Sequence, residues 1–131
     1  MPILTIKEGD RYAVHAWSGE DSCELLQFLQ TLEQESNPDA TTIAYLISRT
    51  ADHGPPRNEL HCRALEGKHA EGLFEFKAPG GTRVLWFYDR NRIIVCTHGF
   101  VKKGQKTPRK EIDKAQAIRQ LYLLEERKNA R

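Results

Sequence analysis

At 131 residues, 39% of them apolar and 29% charged, the chain is long enough for one domain around a single core. No apolar run approaches the ~20 residues that span a bilayer, which excludes a membrane-crossing helix, and "MPILTIKEGD" lacks the basic patch and apolar core of a secretory signal. Cys23, Cys62 and Cys96 stand far apart with no Cys-x-x-Cys pair, which argues against a disulfide framework or structural zinc and fits a reducing cytoplasm.

"RYAVHAW", Arg11 to Trp17, alternates and is rich in strand formers, so it predicts a strand. "TIKEGDRY" before it predicts a hairpin turning at Glu8, Gly9 and Asp10. "EDSCELLQFLQTLEQ" then sets Leu25, Phe28, Leu29 and Leu32 on one helical stripe. "SNPD" ends that helix and starts another, with Asn37 as cap and Pro38 in the first turn. The second helix carries Ile43, Leu46, Ile47 and Ala51 on one face and must stop at "HGPP". The two make a helical hairpin.

An irregular stretch follows to about Ala70. Beyond it, "GLFEFK", "TRVLWFY" and "RIIVCTHGF" are strand-like runs linked by "APGG" and "DRN", the pattern of antiparallel hairpins. With "DRN" as a tight turn, Tyr88 faces Arg92 and Arg83 falls roughly opposite Thr97. The chain closes on a helix capped by Thr107, with Pro108 in its first turn. Ile112, Ala115, Ile118 and Tyr122 point inward there, joined by Leu121 and Leu124. No repeat, linker or low-complexity tract interrupts the series. The expected architecture is α+β, a single domain over residues 1–131. A small antiparallel sheet is flanked by an N-terminal helical hairpin and a C-terminal helix.

Net charge is only +2, but it is unevenly spread. Residues 18–40 hold six acids (Glu20, Asp21, Glu24, Glu33, Glu35 and Asp39) and no Lys or Arg. Residues 77–110 hold nine cations against one anion, Asp89. Hairpin geometry brings Lys77, Arg83 and the loop after the last strand to one sheet edge. Lys102, Lys103, Lys106, Arg109 and Lys110 follow within nine residues. Such a concentration makes a local positive field suited to a polyanion. The alternative is an uneven but merely solvated surface. Cations in a first helical turn oppose the helix dipole, a misfit that a bound anion would relieve.

The stretch "GLFEFKAPGGTRVLWFYDRNRIIVCTHGFVKKGQKTPRKEIDKA" resembles the HigB-type, phage-derived branch of the RelE-like toxin superfamily. The likeness lies in a strand ending Glu-x-Lys, a strand opening with Arg, and above all "HGFVKKGQKTP". "GPP" and "LEGK" upstream fit it as well, and the likeness spans roughly residues 40–120. It implies a toxin of a bacterial toxin–antitoxin pair, acting on mRNA at the ribosome and neutralised by a helix-turn-helix antitoxin. The implied activity is endoribonuclease cleavage with neither metal nor small-molecule cofactor, the ribose 2′-OH attacking its own 3′ phosphate. By motif position Arg83 and Lys102 or Lys103 would stabilise the phosphate, with Lys77, Lys106, Arg109 and Lys110 binding RNA.

Glu75 and His98 are the candidates for proton transfer, since such chemistry needs a base for the 2′-OH and an acid for the leaving oxygen. For Glu75 the alternative is an exposed strand carboxylate pairing with a lysine. For His98 it is a half-buried, hydrogen-bonded histidine. His15, His53, His61 and His69 are scattered without ligand spacing. Two other functions stay open: a non-catalytic RNA- or ribosome-binding protein on the same fold, and a phage or host protein-interaction module.

Overall fold

The computed structural model describes residues 3–19, 22–104 and 106–129, so Glu20 and Asp21 of the acidic stretch and Gln105 of the basic loop lie outside the described residues. Six strands form one sheet: β1 (Ile3–Glu8), β2 (Ala13–Trp17), β3 (Cys62–Ala64), β4 (Phe74–Lys77), β5 (Thr82–Asp89) and β6 (Ile93–Val101). Their spatial order is β1-β2-β6-β5-β4-β3. Every neighbouring pair is antiparallel except β2 and β6, which run parallel. The sheet is therefore mixed rather than wholly antiparallel. A parallel pair needs a long crossover, and the helical hairpin of α1 (Glu24–Gln34) and α2 (Asp39–His53) lies within it. The last helix is α3 (Arg109–Asn129).

Two apolar layers follow from strand alternation. Val14, Ala16, Phe76, Val84, Trp86, Ile94 and Cys96 pack with Leu25, Ile43, Leu46, Ile47 and Ala51 of the helical hairpin. Leu73, Leu85, Phe87, Val95 and Phe100 pack on the other face with Ile112, Ala115 and Tyr122 of α3. Val84 through Phe87 are buried without a break, because β5 is central and covered on both sides. Leu121 and Leu124, expected to face inward, are instead about half exposed at 52% and 51%.

The β1–β2 hairpin and the helical hairpin form as the sequence predicts. Asn37 Oδ1 accepts a 2.9 Å bond from the Asp39 N–H, which leads into α2. Gly54 ends α2 at φ 87°. The C-terminal helix starts differently: among the described residues the Thr107 hydroxyl caps no N–H of α3 and donates to Glu75 at 3.2 Å.

The sharpest corrections concern the expected irregular stretch and the register. Residues Cys62–Ala64 form edge strand β3, and Lys68–Ala70 make one 3-10 turn. The β5–β6 link has three residues, with Asn91 and Arg92 left-handed at φ 62° and 58°. Tyr88 consequently pairs with Ile94, not Arg92. A bulge then interrupts the ladder near Thr97, so Arg83 lies opposite Phe100 rather than Thr97. The Thr97 hydroxyl stitches the bulge by donating to the Leu85 carbonyl at 3.2 Å.

Asp39 joins the helical layer to the β4–β5 turn. Its buried carboxylate accepts N–H bonds from Gly80 at 3.0 Å and Thr82 at 3.2 Å. Burial pushes its pKa upward, but hydrogen bonds from Thr82 and Gly80 and the nearby Arg83 charge outweigh that and hold it below the usual range. This contribution is complete above the unfolded value and is lost only as pH falls through the lower folded one. Asp39→Ala would strip the buried Thr82 N–H and the part-buried Gly80 N–H of their acceptor, and urea unfolding at pH 7 should show a loss of about 1–3 kcal/mol. Unchanged stability would contradict this role.

Candidate functional site

Four neighbouring strands, β3 to β6, set a single cross-strand row on the α3 face of the sheet. Arg63 lies opposite Glu75, Glu75 opposite Leu85, and Leu85 opposite His98. The next row toward the sheet end runs Lys77, Arg83, Phe100. Directly opposed residues in an antiparallel pair have Cβ atoms about 4.5–5.5 Å apart, so these side chains meet without special loops. Lys102 joins them because its N–H donates to the Gly81 carbonyl at 2.8 Å, closing the end of β6 onto the β4–β5 turn. Gly81 takes φ 102°, where a side chain would be strained, and a Cβ there would lie 3.0 Å from the Lys102 carbonyl oxygen.

Glu75 sits at the centre, with 0% exposure. Its Oε2 accepts a 2.7 Å charge-assisted bond from Arg63 Nε. Its Oε1 accepts from Thr107 and lies 3.8 Å from Arg83 Nε. The alternative of an exposed carboxylate paired with a lysine is thus overturned: Glu75 is buried, and its partners are two arginines and Thr107. Arg83 is largely covered as well. Its side chain is 14% exposed, and Nη1 donates to the carbonyls of Ala78 and Thr82, both at 3.0 Å.

Lys102 is half-buried, and burial is the main cause that lowers its pKa. Glu75 opposes the shift, while Arg63, Arg83 and Lys77 reinforce it. Four cations therefore converge around one carboxylate. Lys77 also ties down the neighbouring loop, its Nζ donating to the Glu59 carbonyl at 3.0 Å. Lys103, Lys106, Arg109 and Lys110 are exposed beyond this centre, and Arg109 pairs with Asp113 at 3.0 Å.

His98 is deeper than a half-buried residue, at 1% exposure. Its Nδ1 lies 3.0 Å from the Thr97 hydroxyl and its Nε2 3.1 Å from Glu111 Oε1. Burial lowers its pKa, with the Glu111 hydrogen bond only partly opposing. Its neighbours in "HGF" have equally definite work. A Cβ on Gly99 would collide with the Phe28 ring of α1, and Phe100 enters the apolar layer under α3. The motif lets one strand take a helix on each side.

Sequence reasoning brought Lys77, Arg83 and Lys102 together correctly and missed Arg63. Its strand is three residues long, too short for a periodic signal. The available cue was an arginine between Cys62 and Leu65, both buried. Among the described residues no three His, Cys, Asp or Glu side chains group closely enough to hold a metal ion, and no helix is long and apolar enough to cross a membrane.

Residues 27–120, well over half the chain, match the family described as phage derived protein Gp49-like (DUF891). The chain belongs to that family. No curated protein matches it. In this Gp49-like chain the mixed α+β architecture resembles the RelE-like toxin superfamily. The matched segment contains Arg63, Glu75, Lys77, Arg83, His98 and Lys102, so the whole cationic centre lies within it.

His98 gives the site a pH signature. Its folded pKa lies below the ordinary ~6.5, so the unfolded chain binds more protons in that interval and stability falls as pH drops through it. His15, lowered by burial as well, acts in the same direction. Urea unfolding at pH 7.5 and 5.5 should show a loss of stability that is smaller in His98→Gln than in the native chain. An identical loss in both would contradict a neutral His98.

Proposed function

We propose that this Gp49-like chain is the HigB-type toxin of a bacterial toxin–antitoxin pair, one RelE-like domain over residues 1–131. In this reading it acts in the cytoplasm as an endoribonuclease on mRNA at the ribosome and is held in check by a helix-turn-helix antitoxin. The observation that carries it is the convergence of Lys77, Arg83 and Lys102 from three strand ends.

The arrangement suits a phosphodiester whose own 2′-OH attacks. Negative charge builds on the non-bridging oxygens in that transition state, and preorganised cations beside them stabilise it where water is partly excluded. In this reading Arg83 and Lys102 supply that stabilisation, with the exposed Lys103 beside them. Lys77, Lys106, Arg109 and Lys110 extend the positive surface along which an RNA strand would run. The carboxylate that faces these cations is already committed to Arg63 and Thr107. In this reading charge stabilisation falls to side chains rather than to a carboxylate-held ion.

One observation favours a second reading. Glu75 and His98 are both covered, which leaves neither open to take a ribose proton. An RNA- or ribosome-binding protein that does not cleave would also keep the cationic centre.

The pair Lys102→Ala/Lys103→Ala should abolish growth arrest while the protein remains folded, and Arg83→Ala should abolish it with some loss of stability, since Arg83 also partners the buried Glu75. Loss of one such donor costs about 3 kcal/mol, roughly a hundredfold in rate. Products from ribosome-bound message should carry 2′,3′-cyclic or 3′ phosphate and 5′-hydroxyl ends. Products with 3′-hydroxyl and 5′-phosphate ends would overturn the 2′-OH mechanism, and intact message beside tight binding would favour the second reading.

A further inference from the structure

We propose that Arg63, on the outermost strand β3, is a third phosphate-contacting cation of this centre, and that Glu75 is a positioning residue that holds Arg63 and Arg83 from its two oxygens. The proposal deepens the ribonuclease reading and rests on it for the reaction, though not for anion binding.

Arg63 binds Glu75 through Nε alone, and among the described residues its two terminal nitrogens donate to no other acceptor. Its side chain is 32% exposed, so the open end of the guanidinium reaches solvent while its base is fixed. Arg83 is locked from the other direction, with Nη1 on two carbonyls and a buried Nε that makes no hydrogen bond. A guanidinium fork matches the geometry of phosphate oxygens, and prior fixation of its stem reduces what binding must order.

Glu75 is unsuited to proton transfer. A general base must come within hydrogen-bond reach of the proton it removes, and this carboxylate has no exposed surface and both oxygens occupied. Nor is stability a sufficient reason for the arrangement. A buried ion pair contributes little net stability beyond a well-packed apolar pair. Here Arg63, Lys77, Arg83 and Lys102 leave an excess of two positive charges over Glu75 and the Asp39 carboxylate near Arg83. Their mutual repulsion, felt at the half-buried Lys102, is relieved when a phosphate sits among them. A local conflict kept at one spot in an otherwise consistent fold marks a place where something binds.

The test is binding of a fluorescent 2′-O-methyl RNA oligonucleotide, which has no attacking hydroxyl, across a range of salt. Arg63→Gln should weaken binding roughly ten- to hundredfold and reduce the salt slope by about 0.7, the loss of one phosphate contact on a single strand. Arg63→Lys should keep the slope while losing part of the affinity. Glu75→Gln is the decisive variant. Removing a negative charge should tighten binding by simple electrostatics, whereas a positioning role predicts that binding weakens. Circular dichroism establishes which variants fold; should Arg63→Gln fail, Arg63→Lys and Glu75→Gln carry the test.

An unchanged slope in Arg63→Gln, or tighter binding in Glu75→Gln, overturns the proposal. So does a wild-type chain that does not bind this RNA. Arg63-dependent binding without cleavage of ribosome-bound message would uphold the phosphate contact and overturn the ribonuclease reading alone.

Discussion

A single buried carboxylate organises the cationic end of this sheet. Like charges do not gather at one end of a sheet unless something lowers the cost. Taking a carboxylate fully out of water costs several kcal/mol unless it is paired and hydrogen-bonded. Glu75 meets that condition with Arg63 on one oxygen and Thr107 and Arg83 around the other. The requirement runs both ways. Glu75 needs the arginines to be buried, and the arginines need Glu75 to stand side by side. Strand β3, the loop before α3 and the β4–β5 turn are tied to one another through this group.

The rest of the fold serves the same junction. Asp39 fixes the β4–β5 turn from the helical layer, and the Gly81 carbonyl then fixes Lys102. The bulge at Thr97 rotates β6 so that His98 meets Glu111 of α3. Gly99 admits Phe28 of α1 from behind, and Phe100 fills the layer beneath α3. Three consecutive residues therefore settle how two helical layers sit on one strand. The match to the phage-derived Gp49-like family covers all of these parts, from Phe28 to Glu111.

Much of this was legible in the sequence where a periodic signal existed. The stripes in α1 and α2, the Asn37–Pro38 restart, and the alternating runs of β4 to β6 fell where the pattern placed them. Lys77, Arg83 and Lys102 could be brought to one edge by strand counting alone. The register itself could not, since it depends on two left-handed non-glycine residues, Asn91 and Arg92, and on a bulge with no sequence mark. Arg63 and the burial of Glu75 were invisible together. Each is explained only by the other across a twelve-residue gap, and β3 is too short to announce itself.

The central claim is that Glu75 holds two guanidinium groups ready for a phosphate. Side-chain arginine Nε–H resonances in the 15N-labelled protein report on it directly. The account predicts a downfield, slowly exchanging Arg63 Nε–H in the free protein, with both the Arg63 and Arg83 signals moving when 2′-deoxy-substituted RNA is added. A rapidly exchanging Arg63 Nε–H that ignores the RNA would contradict it.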